Sequence, residues 1–385
     1  MEPHMKINQV CYQNGKWDKK IPSDLNSKNT LCFAFFGPDA VIEKGVTDLK
    51  KSFPDSMIVG CSGAGEILGT NLSDQSMIVT VAKFENSKIK TFRTEISSAD
   101  KSFAAGESLA KNFDKKDLKA VYILSEGLLV NGTDLVKGLR NVLPADVVVS
   151  GGLAGDGTRF KTTKILFDDQ VQSKVTVAIG FYGDEITVVS GSKGGWIPFG
   201  PERKVTNSEG NTLFTIDDKP ALTLYKEFLG NSAANLPASA LNFPLEIQET
   251  INGKSFGIVR TILSVDELNK TMTFAGDIPK GKIVRLMRST QKSLVEAATN
   301  CAQGLQNEIS DKTPVLSLIV SCVGRRLVMG SGTEDEIESV FSMLPKGSIQ
   351  TGFYSYGELA PDQSGFCDLH NQTMTITWIQ ENKSA

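Results

Sequence analysis

Apolar positions along the chain form short runs and helical stripes that recur three times in the same order. Leu31-Cys-Phe-Ala-Phe-Phe36 is a continuous apolar run stopped by Gly37-Pro38, which predicts a buried strand after a polar leader. Ile42, Val46, Leu49 and Phe53 follow at helical spacing, and Pro54 ends that helix. Met57–Gly60 predicts a second strand running into Gly60-Cys-Ser-Gly-Ala-Gly65-Glu66, and Met77–Phe84 a third. The order returns with a helix over Ser102–Phe113, a strand Ala120–Leu124, and a helix capped by Thr133 that carries Leu135, Val136, Leu139 and Val142 up to Pro144. A strand at Val147–Val149 enters Gly151-Gly-Leu-Ala-Gly155-Asp156, and Val175–Phe181 follows. In the third pass a helix over Ser289–Leu305 precedes the strand Val315–Val320. Thr333 and Glu336 then read as a capping box before the stripe Ile337, Val340, Phe341 and Leu344. Pro345 ends that helix, Ser348–Thr351 runs into Gly352…Gly357-Glu358, and Met374–Ile379 is the last strand.

Eleven residues separate Pro54 from Gly65 and Pro144 from Gly155, and twelve separate Pro345 from Gly357. The spacing predicts that Glu66, Asp156 and Glu358 hold equivalent positions in duplicated units. Between the second and third units, Ser190–Lys282 differs: short β-like runs, turn dipeptides and one helix over Ala221–Leu229. The expected fold is therefore α/β, with repeated αβαβ-type units forming two domains and a β-rich bridging segment.

Composition narrows the function classes. At 385 residues and 41.6 kDa, two domains are expected. A net charge of −3 gives no basic field for nucleic acid. No apolar run reaches the ~18 residues that cross a bilayer and no signal segment opens the chain, so a cytoplasmic protein off the membrane is expected. Six cysteines without CxxC pairing read as reduced thiols. The histidines are His4 and His370; if Met5 is the start, His370 is the single one.

Candidate chemistry concentrates near the end. Gly352-Phe353-Tyr354-Ser355-Tyr356-Gly357-Glu358 and Cys367-Asp368-Leu369-His370-Asn371 combine glycines, aromatic walls, a carboxylate and an imidazole, which suits a pocket rim. Catalytic signatures miss. Gly60-Cys-Ser62-Gly-Ala64 lacks the last glycine of a nucleophile elbow, and Gly63-Ala-Gly65-Glu-Ile-Leu-Gly69 is one residue too long for a dinucleotide loop. Cys61 with His370 would make a nucleophile pair only if folding joined them. Cys367-x-x-His370 is half a zinc site. A non-enzyme is expected.

Taken together, Val59–Ile67, Gly151–Asp156, Gly195–Gly200, Thr215–Ala221 and Gly352–Glu358 with His370-Asn371 resemble the FIST family of bacterial sensory proteins. The resemblance covers about residues 28 to 375. It implies an N-terminal domain over 28–218 and a C-terminal domain over 219–375, acting together as an input that binds a small molecule. Some members look like haem-binding nitric oxide sensors controlling a histidine kinase or a diguanylate cyclase or phosphodiesterase of cyclic-di-GMP. Others are proposed to bind amino acids. The resemblance thus implies signalling in trans in two-component style, and leaves a homo-oligomer open. Under the haem reading His370 is the iron ligand, with Cys367 as the alternative, and Tyr354, Tyr356, Phe353, Phe366 and Trp378 as walls. Under the amino-acid reading, Glu66, Asp156 and Glu358 meet an ammonium group while the amides at Gly352 and Gly357 meet a carboxylate, with Asn371 alongside.

Overall fold

The computed structural model describes residues 5–251, 254–361 and 365–382. His4 lies outside them. The chain builds three six-stranded units. The first contains β1 (Met5–Gln13), β2 (Thr30–Phe36), α1 (Glu43–Ser52), β3 (Met57–Ser62), the hairpin β4 (Glu66–Leu68) and β5 (Asn71–Ser73), and β6 (Met77–Phe84). The second contains β7 (Lys88–Glu95), α2 (Ser102–Lys111), β8 (Leu118–Ser125), α3 (Gly132–Arg140), β9 (Val148–Leu153), the hairpin β10 (Ile165–Phe167) and β11 (Gln170–Gln172), and β12 (Val175–Tyr182). The third starts with β13 (Ile186–Lys193) and breaks off for the β-rich segment, whose one α-helix is α4 (Ala221–Leu229). It resumes with α5 (Gln291–Gln306), β14 (Leu316–Cys322), α6 (Val323–Met329), α7 (Thr333–Phe341), β15 (Ile349–Ser355), the hairpin β16 (Gly357–Pro361) and β17 (Cys367–His370), and β18 (Met374–Glu381).

Each unit makes one sheet around a parallel pair, β2/β3, β8/β9 or β14/β15, joined by a helical crossover. Each then hands its hairpin to a neighbour. β4–β5 pairs with β15 of the third sheet, β10–β11 with β3 of the first, and β16–β17 with β9 of the second. The exchange is cyclic. It covers an edge of every sheet with a strand from another unit, so the three sheets share one interior.

The run Leu31–Phe36 shows how the sequence fits this interior. Leu31, Phe33 and Phe35 face the central core, while Cys32, Ala34 and Phe36 face α1. Tyr122 meets Phe33 edge-on at 5.8 Å and Phe353 stacks on Phe35 at 5.0 Å, joining all three units at the centre. The parallel pairs are held at close quarters by Gly60, Gly151 and Gly352. A Cβ there would lie 1.8, 2.0 and 1.9 Å from the carbonyl oxygens of Ala34, Ile123 and Ile319.

These glycines give a common register. Their hairpin partners are Leu166, Leu359 and Ile67, so Glu66 and Glu358 are equivalent, one residue earlier in each hairpin. In the second unit that position is Ile165. Asp156 lies instead in the longer loop between β9 and β10, so the proline spacing places it in the wrong register.

Local expectations are corrected in three places. Met5–Gln13 is an edge strand on β6 rather than a leader, with Met5, Val10 and Tyr12 buried among polar neighbours. α3 is capped by Asn131, whose side chain accepts the Asp134 N–H, and not by Thr133. Thr333 and Glu336 form no capping box, because α7 has Gly332 at its cap and Glu336 points into the protein. The seven residues of α6 form a further helix in a stretch to which the apolar pattern assigns no element.

The segment after β13 forms a nine-stranded antiparallel sheet covered by α4, with its own core around Val205, Leu213, Tyr225, Met272 and Phe274. Its two ends lie side by side, since Ile197 pairs with Arg288. No helix among the described residues is long and apolar enough to cross a membrane.

Candidate functional site

The carboxyl ends of the parallel strands meet at one end of the three-sheet body, and there the glycine turns are hydrogen-bonded to one another. Ala64 N–H donates to Tyr354 O at 2.7 Å and Tyr354 N–H to Gly65 O at 2.9 Å. Gly155 N–H donates to Ser62 O at 3.0 Å, and the Ser62 hydroxyl to Gly155 O at 2.7 Å. A Cβ on Gly155 would sit 3.2 Å from Ala64 N. The turns are therefore packed against each other and leave little room for a ligand between them.

The three acids meet different fates. Asp156 accepts the N–H groups of Phe160, Lys161 and Thr162 at 2.8 to 2.9 Å and the Tyr356 hydroxyl. Burial works against its charge, but these donors hold its carboxyl below the usual range. Glu358 is fully buried and accepts from the Ser355 hydroxyl at 2.5 Å and from Thr373 N–H and hydroxyl at 3.2 and 3.0 Å. Burial nevertheless pushes its carboxyl up to about 8. Glu66 is also fully buried, beside Gly37 and Gly63, and neither oxygen makes a hydrogen bond of normal geometry. Burial, then the Asp74 charge, raise its carboxyl well above the usual range.

The C-terminal stretch does not form one site. Tyr354 is buried and donates to Glu336 Oε1 at 2.7 Å. Tyr356 stacks on Phe160, 4.4 Å between ring centres, and serves Asp156. Gly352 and Gly357 are packing positions, with Leu153 and Leu369 methyls 2.9 Å from a Cβ at Gly357. Asn371 is buried, and its side-chain amide has no hydrogen-bond partner. His370 Nε2 lies 3.2 Å from Ala360 O, at the wall of a cavity of about 390 Å³ that also holds Ser190, Lys193 and Asn300. On β17, Cys367 and Leu369 turn inward while Asp368 and His370 turn outward. Residues three apart on a strand face opposite sides, so Cys367 and His370 do not share a ligand. Phe353 and Trp378 belong to the interior, and Cys61 is sealed in the central core on the first sheet while His370 sits on the edge strand of the second.

A second cavity, of about 620 Å³, lies just beyond the packed turns. The body supplies Leu128, Thr158, Phe160 and Leu327. The inserted segment lines the other side with Leu236, Pro237, Leu241, Ile262 and Leu263, and with the exposed Asn235 and Asn242. This is the crevice outside the carboxyl ends of the strands where open α/β sheets hold ligands. Phe160, Leu263 and Leu327 are 41%, 44% and 45% exposed, large for apolar side chains.

α6 ties this cavity to the rest of the molecule. Leu327 faces the cavity, and Arg326 lies over the Tyr354 ring while donating to Ala64 O and to both Asp74 oxygens at 2.8 and 2.7 Å. Arg325 is fully buried. It donates to Glu336 from Nε at 3.0 Å, to Leu294 O at 3.0 Å and to Gly194 O, so it clamps both ends of the inserted segment. The pattern reading missed these residues. The signal was Arg325-Arg326 inside an otherwise apolar stretch, Val323-Gly-Arg-Arg-Leu-Val-Met329.

Haem needs an axial donor and broad apolar walls in one place. Here His370 borders the smaller cavity, whose wall mixes Phe256, Ile258, Val259 and Leu305 with Lys193, Asn300 and serines, while among the described residues no histidine, cysteine, methionine or tyrosine lines the larger one. No group of three or more His, Cys, Asp or Glu suited to a metal ion occurs among the described residues. The larger, more apolar cavity thus has no axial donor among its described lining residues, and the one imidazole borders the smaller cavity.

Two family models match the chain. That of the FIST N domain covers residues 30–219 and that of the FIST C domain residues 221–361, meeting inside the inserted sheet just before α4. Among curated proteins there is no match.

Proposed function

Since the chain belongs to the FIST family, whose domains are sensory, we propose that it senses a small molecule held in the 620 Å³ cavity between the three-sheet body and the inserted sheet. The observation that carries this is the position of the cavity. It opens at the strand ends, with wall residues from both parts, so a ligand there has differential affinity for different arrangements of the two, as a sensor requires. The site is read as binding rather than catalytic, because among the described residues no histidine, carboxylate, lysine or cysteine lines it to activate the Thr158 hydroxyl. Downstream, the resemblance favours a separate histidine kinase or cyclic-di-GMP enzyme as the reader of that change. Haem sensing of nitric oxide is the weaker reading on the donor geometry above.

The test is retention of small molecules. Purified protein is exposed to a filtrate of cell metabolites below about 1 kDa, desalted, denatured and analysed by mass spectrometry beside Leu327→Trp, which fills the cavity. Wild type is expected to retain a compound that the variant loses, at unchanged melting temperature. Equal retention by both would sink the assignment. A parallel haemin titration giving a stoichiometric Soret band that His370→Ala abolishes would restore the haem reading.

A further inference from the structure

Resting on the cavity being the sensory site, we infer that its ligand is an electrically neutral, mainly apolar molecule with an amide-compatible polar group, and not a zwitterion or an anion. Among the described residues, the walls carry no charged side chain. Among the charges within two residues of wall positions, Lys161 beside Phe160 is exposed to solvent and does not line the cavity, and Asp156, Arg159 and Arg326 are engaged within the protein. Asp156, two residues before Thr158, is closed off by three backbone amides and Tyr356. Arg159, between Thr158 and Phe160, donates to Asp39 Oδ1 at 2.6 Å and to Asp156 O at 3.0 Å. Arg326, next to Leu327, is held by Asp74 and Ala64 O.

A free amino acid entering this space would leave water with an ammonium and a carboxylate and find no opposite charge for either, which is strongly unfavourable. A neutral ligand loses little. Its apolar body meets Phe160 and the leucines of both walls, and one carbonyl, hydroxyl or amide can pair with Asn235 or Asn242, whose side chains both donate and accept. The cavity volume is that of sites for drug-sized molecules rather than for single ions or metabolites of a few atoms.

The experiment compares two fluorescent probes of one ring system. N-phenyl-1-naphthylamine is neutral, and 8-anilinonaphthalene-1-sulfonate carries a fixed negative charge. Both are titrated into the full-length protein, into Leu327→Trp and into Leu263→Trp, which block the cavity from opposite walls; free leucine and glutamate are titrated by calorimetry. The neutral probe is expected to bind one per chain, at least tenfold tighter than the sulfonate. Both variants should weaken it at least tenfold at unchanged melting temperature. If the sulfonate or an amino acid binds as tightly and is blocked by the same variants, the cavity stands and the ligand class is overturned. If the neutral probe binds equally to wild type and both variants, the cavity itself is the wrong site. If no probe binds wild type, the neutral-ligand inference fails.

Discussion

Glu66 and Glu358 occupy the same register position in two hairpins, yet the protein treats them differently. Glu358 has a hydroxyl donor on one oxygen and a hydroxyl and an amide donor on the other, whereas Glu66 has none of normal geometry, and the second unit places Ile165 there. The position therefore tolerates an uncharged side chain, in keeping with burial raising both carboxyls above the usual range. For Glu358 the sign can be worked out. Its carboxyl titrates near about 8 when folded, and near ~4.3 when unfolded. The protonated form favours the fold, so its contribution is fully present below ~4.3, is lost progressively as pH rises, and is gone above about 8. Glu358→Gln keeps the neutral shape at every pH, its oxygen accepting from Thr373 and its amide donating to the Ser355 hydroxyl. Urea unfolding of wild type and variant should agree near pH 4, diverge in favour of the variant up to about 8, and run parallel beyond. Curves parallel throughout would mean that the carboxyl ionises in the ordinary way.

Among the elements, what could be read from the sequence was what burial on two faces imposes. Continuous runs such as Leu31–Phe36 and Val315–Val320 had to be interior strands, and proline-stopped stripes had to be their crossover helices. Edge strands were invisible, because β1, β7 and β13 bury only part of one face and look polar. The partners of each hairpin were equally hidden, since swapping a hairpin between units changes no local pattern. The site was legible only as far as its turns. The cavity beyond them is assembled from residues as distant as Leu128, Leu241 and Leu327, and nothing in their spacing predicts that they meet. α6 was hidden for another reason: its charged residue Arg325 is buried, against the usual rule. A buried pair is costly to break singly. Arg325→Met should lose ~3–5 kcal/mol by stranding the Glu336 carboxylate. Glu336→Leu should lose a similar amount by stranding the guanidinium, while the double variant should lose clearly less than the sum. Denaturant unfolding of the four proteins closes this cycle, and additive losses would mean that the pair acts as two independent groups.

At the scale of the whole molecule, the third unit is the one interrupted in mid-course, between β13 and α5, and the interruption supplies most of the cavity's lining. The inserted sheet has its own core, while its hydrogen bonds to the body include few and mainly single ones: Arg260 to Leu369 O, Gln372 to Leu241 O, Trp196 to Gln372 O and Arg325 to Gly194 O. Cores joined in this way should separate, since the cyclic hairpin exchange that closes the body involves no residue of the insert. Ile197 and Arg288 are cross-strand partners, about 5 Å apart at Cα. Residues 198–287 can therefore be replaced by a short glycine-serine link without stretching the body. The shortened protein should melt in one cooperative transition, with β-rich circular dichroism, and should no longer bind the neutral naphthylamine probe, having lost Leu236, Leu241, Ile262 and Leu263. A folded body that still binds the probe would place the ligand elsewhere on the three sheets. A body that fails to fold would show that the insert and the third unit form a single folding unit, and that Arg325 joins one core rather than clamping two.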